Sequence, residues 1–259
     1  MTAELLYEVR DGIGHVMLNR PQARNALTFA MYERLSDVCD EVDADPEVKV
    51  LVITGAGEKA FAAGTDINQF RAFSTPEDAL GYEARIDRVL SRLEAVRKPT
   101  IAAIAGACTG GGAAIAVACD LRIAAANAVF GVPIARTLGN CLSMSNLARL
   151  SALIGAGRTK ELIFTAKLVG AHDALAIGLV SEVLADAEAL AARAEALAQH
   201  IAGFAPLTLR ATKTALHRLR EAEGLPPDED LIRLCYESAD FREGLDAFLS
   251  KRPPVWRGV

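Results

Sequence analysis

Pro99-Thr-Ile-Ala-Ala-Ile-Ala-Gly-Ala-Cys-Thr-Gly-Gly-Gly-Ala-Ala-Ile-Ala-Val-Ala-Cys119 is the one long uncharged run of the chain. By length alone it could cross a membrane. Ala and Gly dominate it, however, three consecutive glycines (Gly110 to Gly112) interrupt it, and Asp120 and Arg122 follow at once. That pattern predicts a buried strand over Thr100 to Ala105, a glycine turn, and a buried helix over Ala113 to Ala118, with Leu121 to Ala125 as the next strand. No membrane span is expected.

Outward from this run, strands and helices interleave. Val48 to Thr54 is apolar almost throughout, as a strand buried on both faces would be. Upstream, Leu5 to Val9 and His15 to Leu18 flank Asp11-Gly12 and predict a hairpin. Thr28 is placed to cap a helix running to about Asp43, with Met31, Leu35, Val38 and Val42 on one face. Downstream, Thr75-Pro76-Glu77-Asp78 has the composition of a helix start. From Leu142 the pattern is helical except at Leu179 to Leu184. An apparent boundary near 195 to 205 separates a core of residues 1–200 from a helical region of residues 201–259. In the latter, Leu207 to Leu219 and Asp228 to Phe248 read as amphipathic helices divided by Gly224-Leu-Pro-Pro227.

The chain has 259 residues, 51% of them hydrophobic, and a formal net charge of −5. This apolar content excludes disorder. A mildly acidic chain with 5% aromatics also lacks the clustered cations and exposed rings of a nucleic-acid binder. Cys39, Cys108, Cys119, Cys141 and Cys235 are odd in number and include no C-x-x-C pair, so they read as reduced thiols. His15, His172, His200 and His217 have no metal-ligand spacing, and no metal is expected. Met1-Thr-Ala-Glu-Leu5 lacks a signal-peptide pattern, and the expected location is cytoplasmic.

Two loops carry candidate chemistry: Lys59-Ala-Phe-Ala-Ala-Gly-Thr-Asp-Ile-Asn68 and Ala105-Gly-Ala-Cys-Thr-Gly-Gly-Gly-Ala-Ala114. Each follows a buried strand and ends where a helix could begin. Glycines at such turns let the main chain approach a ligand, and N–H groups at a helix start carry positive potential. Two such donors converging on one point would make an oxyanion hole.

Ala60-Phe-Ala-Ala-Gly-Thr-Asp-Ile67, Pro99 to Gly106 with Gly110-Gly-Gly112, Ala118-Cys-Asp-Leu-Arg-Ile123, Ala166 to Leu179 and Asp240-Phe-Arg-Glu-Gly-Leu-Asp-Ala-Phe-Leu-Ser-Lys-Arg-Pro253 together resemble the enoyl-CoA hydratase/isomerase (crotonase) family. Asn19-Arg20-Pro21 and Asn25-Ala26-Leu27 extend the resemblance to nearly the whole chain. It implies an α/β fold, a crotonase-like spiral of ββα turns with a C-terminal helical oligomerisation region, and a homotrimer or dimer of trimers. It also implies an acyl-CoA thioester substrate, with coenzyme A as part of that substrate and no tightly bound cofactor. By position, Thr65 and Gly111 correspond to the residues whose backbone N–H groups form the family's oxyanion hole.

Hydratases of the family typically carry one glutamate two residues after the glycine triplet and another after the proline of a later Phe-Gly-x-Pro-Glu segment. Here those positions hold Ala114 and Ile134, or Ala135 if the one residue inserted relative to the family between Pro133 and Gly139 precedes it. No Asp or Glu lies between Asp120 and Glu161. Hydration needs a group to activate water and a proton source, and losing placed acid–base catalysis costs about 10²- to 10⁴-fold. Slow or no hydration of crotonyl-CoA is therefore expected. Isomerase, decarboxylase or hydrolase chemistry, or a catalytically dead CoA-thioester binding trimer, are the alternatives.

Candidate replacements are Arg136 for an acyl carboxylate, Asn140 to orient water, and Cys141 as acid or nucleophile if its pKa is lowered. Glu83 is a further candidate, although a solvated carboxylate paired near Arg85 is the simpler expectation. Asp66 reads as an N-cap. For CoA, the resemblance implies Arg24, Ala26, Ala62, Ala63, Asp66 and Ile67, completed by Phe248 and Lys251, often from a neighbouring subunit.

Overall fold

The expected hairpin forms: β1 (Leu5–Arg10) pairs antiparallel with β2 (Ile13–Leu18). Asp11 and Gly12 both have positive φ, 49° and 77°, as a tight type I′ connection requires. The protein is described by a computed structural model that covers residues 3–222, 224 and 229–257. After a 3-10 turn over Pro21–Ala23 comes α1 (Phe29–Ala44), capped by the Thr28 side chain, which accepts from the Met31 N–H.

A strand, strand, helix unit then repeats. The first is β3 (Val50–Gly55), β4 (Ala60–Ala62) and α2 (Pro76–Glu94), with a 3-10 helix over Ile67–Ala72 between the last two. The second is β5 (Thr100–Ile104), β6 (Ala107–Thr109) and α3 (Gly111–Ala118). The third is β7 (Leu121–Ala125), β8 (Val129–Gly131), the short α4 (Ile134–Thr137) and α5 (Met144–Phe164). β9 (Val169–Gly170), α6 (Ala171–Ala176), β10 (Glu182–Leu184) and α7 (Ala187–Ala202) follow. The chain continues through α8 (Pro206–Ala222), α9 (Glu229–Tyr236) and α10 (Ala239–Leu249).

Two sheets result. The larger has the order β1-β2-β3-β5-β7-β10 and is parallel beyond the hairpin. The smaller has the order β4-β6-β8-β9, with β4, β6 and β8 parallel. Each repeat thus gives one strand to each sheet, which produces a spiral of ββα turns. Along β3 the faces alternate: Leu51 and Ile53 join the core shared with α1, α2 and α3, whereas Val50 and Val52 face Leu190, Ala194, Ala198 and Ile201 of α7. This two-sided burial explains the continuous apolar reading of the strand.

The run from Pro99 to Cys119 is β5, β6 and α3, and among the described residues no helix is long and apolar enough to cross a membrane. Two expectations require correction. The two glycine loops contain short strands, β4 and β6, that three residues of sequence are too few to reveal by alternation. The helix expected over Asp228 to Phe248 is two helices, because the Ser238 hydroxyl caps a new start by accepting from the Phe241 N–H. Of the divider Gly224-Leu-Pro-Pro227, only Gly224 lies within the described residues, and Asp228 also lies outside them.

Candidate active site

β4 and β6 are parallel neighbours, so the turns that follow them lie side by side. Gly64 (φ 105°) and Gly110 (φ 51°) adopt backbone that a side chain would strain, and a Cβ at Gly110 would lie 3.5 Å from Gly64 Cα. The first turn is fixed by a parallel bridge between Leu27 and Thr65, in which the Gly64 carbonyl accepts from Leu27 and the Asp66 N–H donates to the Leu27 carbonyl. Residues on either side of Thr65 therefore face Leu27, and the Thr65 N–H points away from it. Gly111 opens α3, where an N–H has no intrahelical acceptor. Neither the Thr65 nor the Gly111 N–H has a hydrogen-bond partner among the described residues. The structure thus brings together the two sequence-predicted donors.

Beneath them lies a hydroxyl cluster that sequence reasoning missed. Thr65 Oγ1 is 3.0 Å from Tyr32 Oη and 2.9 Å from Tyr82 Oη. A Cβ at Gly111 would overlap the Tyr32 hydroxyl, so glycine at 111 is a packing requirement. Burial raises the pKa of both phenols, and neighbouring Glu83 adds to the effect. Both remain neutral hydroxyls.

Glu83 is the clearest departure from expectation. It is not solvated but 6% exposed, and it is the only buried carboxylate among the described residues. Tyr236 of α9, also 6% exposed, donates to Glu83 Oε1 at 2.5 Å. Asn140 Nδ2 in turn donates to Tyr236 Oη at 3.2 Å, and Asn140 Oδ1 is buried without a partner among the described residues. Arg85, the expected neighbour of Glu83, instead pairs with Glu33 and lies 5.5 Å from the centre of the Phe29 ring. Phe70, Phe73 and Phe29 surround Tyr82, and Phe241 abuts Tyr236 and Phe70. The low aromatic content conceals this local concentration.

The remaining candidates separate into two groups. Arg136 is exposed on α4. Cys141 Sγ donates to the Leu231 carbonyl at 3.7 Å and hydrogen-bonds Cys235, a bond that lowers the pKa of Cys235 to about 7. Ile134 is half-buried, and Ala114 lines a narrow apolar cavity of about 30 Å³ with Gly110, Ala113, Val132 and Leu142.

Around the first turn, the Ala63 N–H donates to the Arg24 carbonyl, and Arg24 itself is exposed with φ 51°. Buried Asn25 ties this segment to the sheet through the Ala56 and Ala60 carbonyls. Arg20 donates to the Ala26 carbonyl and to Asp66. Burial would raise the Asp66 pKa, but hydrogen bonds from Asn68 and Arg20 prevail and lower it. Asp66 also caps the 3-10 helix beginning at Ile67, as expected. Arg24, Ala26, Ala62, Ala63, Asp66 and Ile67 therefore form one neighbourhood. Phe248 and Lys251 are exposed at the end of α10 and just beyond, with no hydrogen bond or ion pair to it among the described residues.

Comparison with known proteins matches residues 8–259 to the enoyl-CoA hydratase/isomerase family. A short-chain-enoyl-CoA hydratase of Clostridium acetobutylicum is 37% identical over 96% of this chain and 95% of its own length. A crystal structure of an enoyl-CoA hydratase/carnithine racemase from Magnetospirillum magneticum aligns with a TM-score of 0.81 at 32% identity, covering 100% of this chain and 97% of that one. A methylmalonyl-CoA decarboxylase in complex with 2-nitronate-propionyl-CoA aligns with a TM-score of 0.91 at 28% identity, covering 100% of both chains.

Proposed function

The chain belongs to the enoyl-CoA hydratase/isomerase family, and on that premise we propose that it binds an acyl-CoA thioester, polarises the carbonyl between the Thr65 and Gly111 N–H groups, and moves the α-proton with Glu83. The C–H bond breaks, the proton passes to a Glu83 oxygen, and its electron pair forms the enolate, whose charge settles on the thioester oxygen. Backbone donors aimed at that oxygen act where charge develops. One observation carries this reading: two N–H groups without a partner among the described residues stand on adjacent turns, and the only buried carboxylate among the described residues follows Tyr82, whose hydroxyl lies 2.9 Å from that of Thr65. A buried carboxylate is costly unless compensated, and perturbed buried groups concentrate at functional sites.

With Ala114 and Ile134 unable to activate water, crotonyl-CoA hydration is slow or absent. CoA occupies the Arg24, Ala26, Ala62, Ala63, Asp66 and Ile67 neighbourhood, with Phe248 and Lys251 supplied by an adjacent subunit of a trimer or dimer of trimers. Residues 1–200 carry the oxyanion donors and Glu83, residues 201–259 serve assembly and add Tyr236, Phe248 and Lys251, and the reduced thiols suit the cytoplasm.

The test is exchange of butyryl-CoA α-protons with D₂O. We expect exchange above background, and a drop of about 10²- to 10⁴-fold in Glu83→Gln. Exchange unchanged by that substitution would remove Glu83 from the mechanism. The missing glutamates favour a second reading, decarboxylation of a 2-carboxyacyl-CoA, because loss of CO₂ leaves the enolate without a base and needs only a proton donor such as the neutral hydroxyls. Release of CO₂ from methylmalonyl-CoA that survives Glu83→Gln would select it.

A further inference from the structure

Glu83 accepts from Tyr236 of the C-terminal α9, whose oxygen in turn accepts from Asn140 in the loop before α5. We infer that Tyr236 and Asn140 are positioning residues that fix the Glu83 carboxylate in its ionised, accepting state, so that the docked C-terminal helix completes the base. The inference rests on the reading of Glu83 as the base.

The hydrogen-bond directions support it. Asn140 Nδ2 donates to the Tyr236 oxygen, which occupies a lone pair of that oxygen and turns the phenolic hydrogen toward Glu83. The phenol donates over a short 2.5 Å contact. Burial, reinforced by Glu83, raises the Tyr236 pKa well above its ordinary value, so the phenol keeps the proton that it donates to Glu83. A carboxylate in an apolar cluster is otherwise driven toward its protonated form, and a donor to the ionised form opposes that drift. Phe241 packs on the Tyr236 ring at 4.7 Å between centroids, and Phe70 and Phe241 lie 6.4 Å apart. These contacts fix the rotamer from which the phenol reaches across.

The titratable groups facing Glu83 come from several directions. Tyr32 projects from α1, Tyr82 from its own helix and Tyr236 from α9. One turn further along α2, Asp87 accepts from Ser143 and Asn146 and lies 3.9 Å from Arg149. Cys141 and Cys235 adjoin Asn140 and Tyr236 in sequence. Tyr236 is the group that donates its hydroxyl proton directly to Glu83 Oε1.

The experiment measures butyryl-CoA α-proton exchange against pH for the full chain and for Glu83→Gln, Tyr236→Phe and Asn140→Ala. Loss of a hydrogen bond to the charged carboxylate raises its pKa, so the acid limb of the Tyr236→Phe profile should move up by about one to two pH units, with the high-pH plateau retained. Asn140→Ala should move the limb in the same direction by less. A purely structural role would lower the plateau and leave the limb in place. If Glu83→Gln abolishes exchange while the Tyr236→Phe limb superimposes on wild type, the positioning role is overturned and the base assignment stands. Exchange at wild-type rates in Glu83→Gln, or none in the wild-type protein, overturns the base assignment itself. Should Tyr236→Phe fail to fold, Asn140→Ala decides alone, and an unmoved limb overturns the inference.

Discussion

Cys39 and Cys119 are both held by burial at a pKa of about 12, and burial raises Cys108 further. In an unfolded chain a thiol ionises near about pH 8.5 and a phenol near about 10. Above those values the unfolded state binds fewer protons than the folded one, so stability falls as pH rises. We expect the urea midpoint to drop between pH 8 and 10.5, with Cys39→Ala showing a shallower slope; parallel slopes would refute the assignment. Glu83 shows what was and was not legible at this scale. Ala79, Glu83, Ile86, Leu90 and Leu93 lie on one helical stripe, and all are buried. That spacing was a readable signal that position 83 faces inward. The Tyr236 partner was not readable, because the pairing depends on how α9 docks on α2, and no local pattern encodes that.

Among the elements, α2 is fixed at both ends. At its start, Thr75 and Asp78 form a reciprocal capping box. At its end, Glu94 accepts from Arg149 of α5 at 2.9 Å and is paired by both terminal nitrogens of Arg220 of α8. Burial alone would raise the Glu94 pKa, but the two arginines lower it. Arg149 is only 3% exposed, so removing Glu94 leaves a buried cation with Asp87, 3.9 Å away, in place of its 2.9 Å partner. Glu94→Ala should therefore destabilise the protein by about 3 to 5 kcal/mol, measured by equilibrium urea unfolding; a loss below about 1 kcal/mol would mean that Asp87 and water take over the pairing. Caps of this kind made the long helices legible, as Thr28 and Thr75 illustrate. The strands Ala60–Ala62, Ala107–Thr109 and Val129–Gly131 were not, because they are too short to alternate and owe their conformation to pairing in the smaller sheet.

For the molecule as a whole, the spiral places one strand of each repeat in each sheet, and the turns after β4 and β6 therefore emerge together. The two glycine loops and their order were legible because they punctuate buried strands. The assembly proposed for the chain draws on a different feature. Leu207, Leu216 and Leu219 of α8 are 75%, 63% and 68% exposed, whereas fully burying one leucine stabilises by about 1.5 to 3 kcal/mol. Leu216 and Leu219 share one face of α8, with Leu207 on the opposite side, and an exposed apolar pair repeated in every copy is the kind of surface at which subunits meet. We expect light scattering to give a trimer or hexamer mass for the wild type. The double variant Leu216→Asp/Leu219→Asp should give monomers with an unchanged circular dichroism spectrum, because neither side chain contributes to its own chain's core. If Phe248 and Lys251 complete the CoA site of a neighbour, the monomeric variant must also bind CoA more weakly. Dissociation with unchanged CoA affinity would place the whole ligand site within one chain and return those two residues to the solvent.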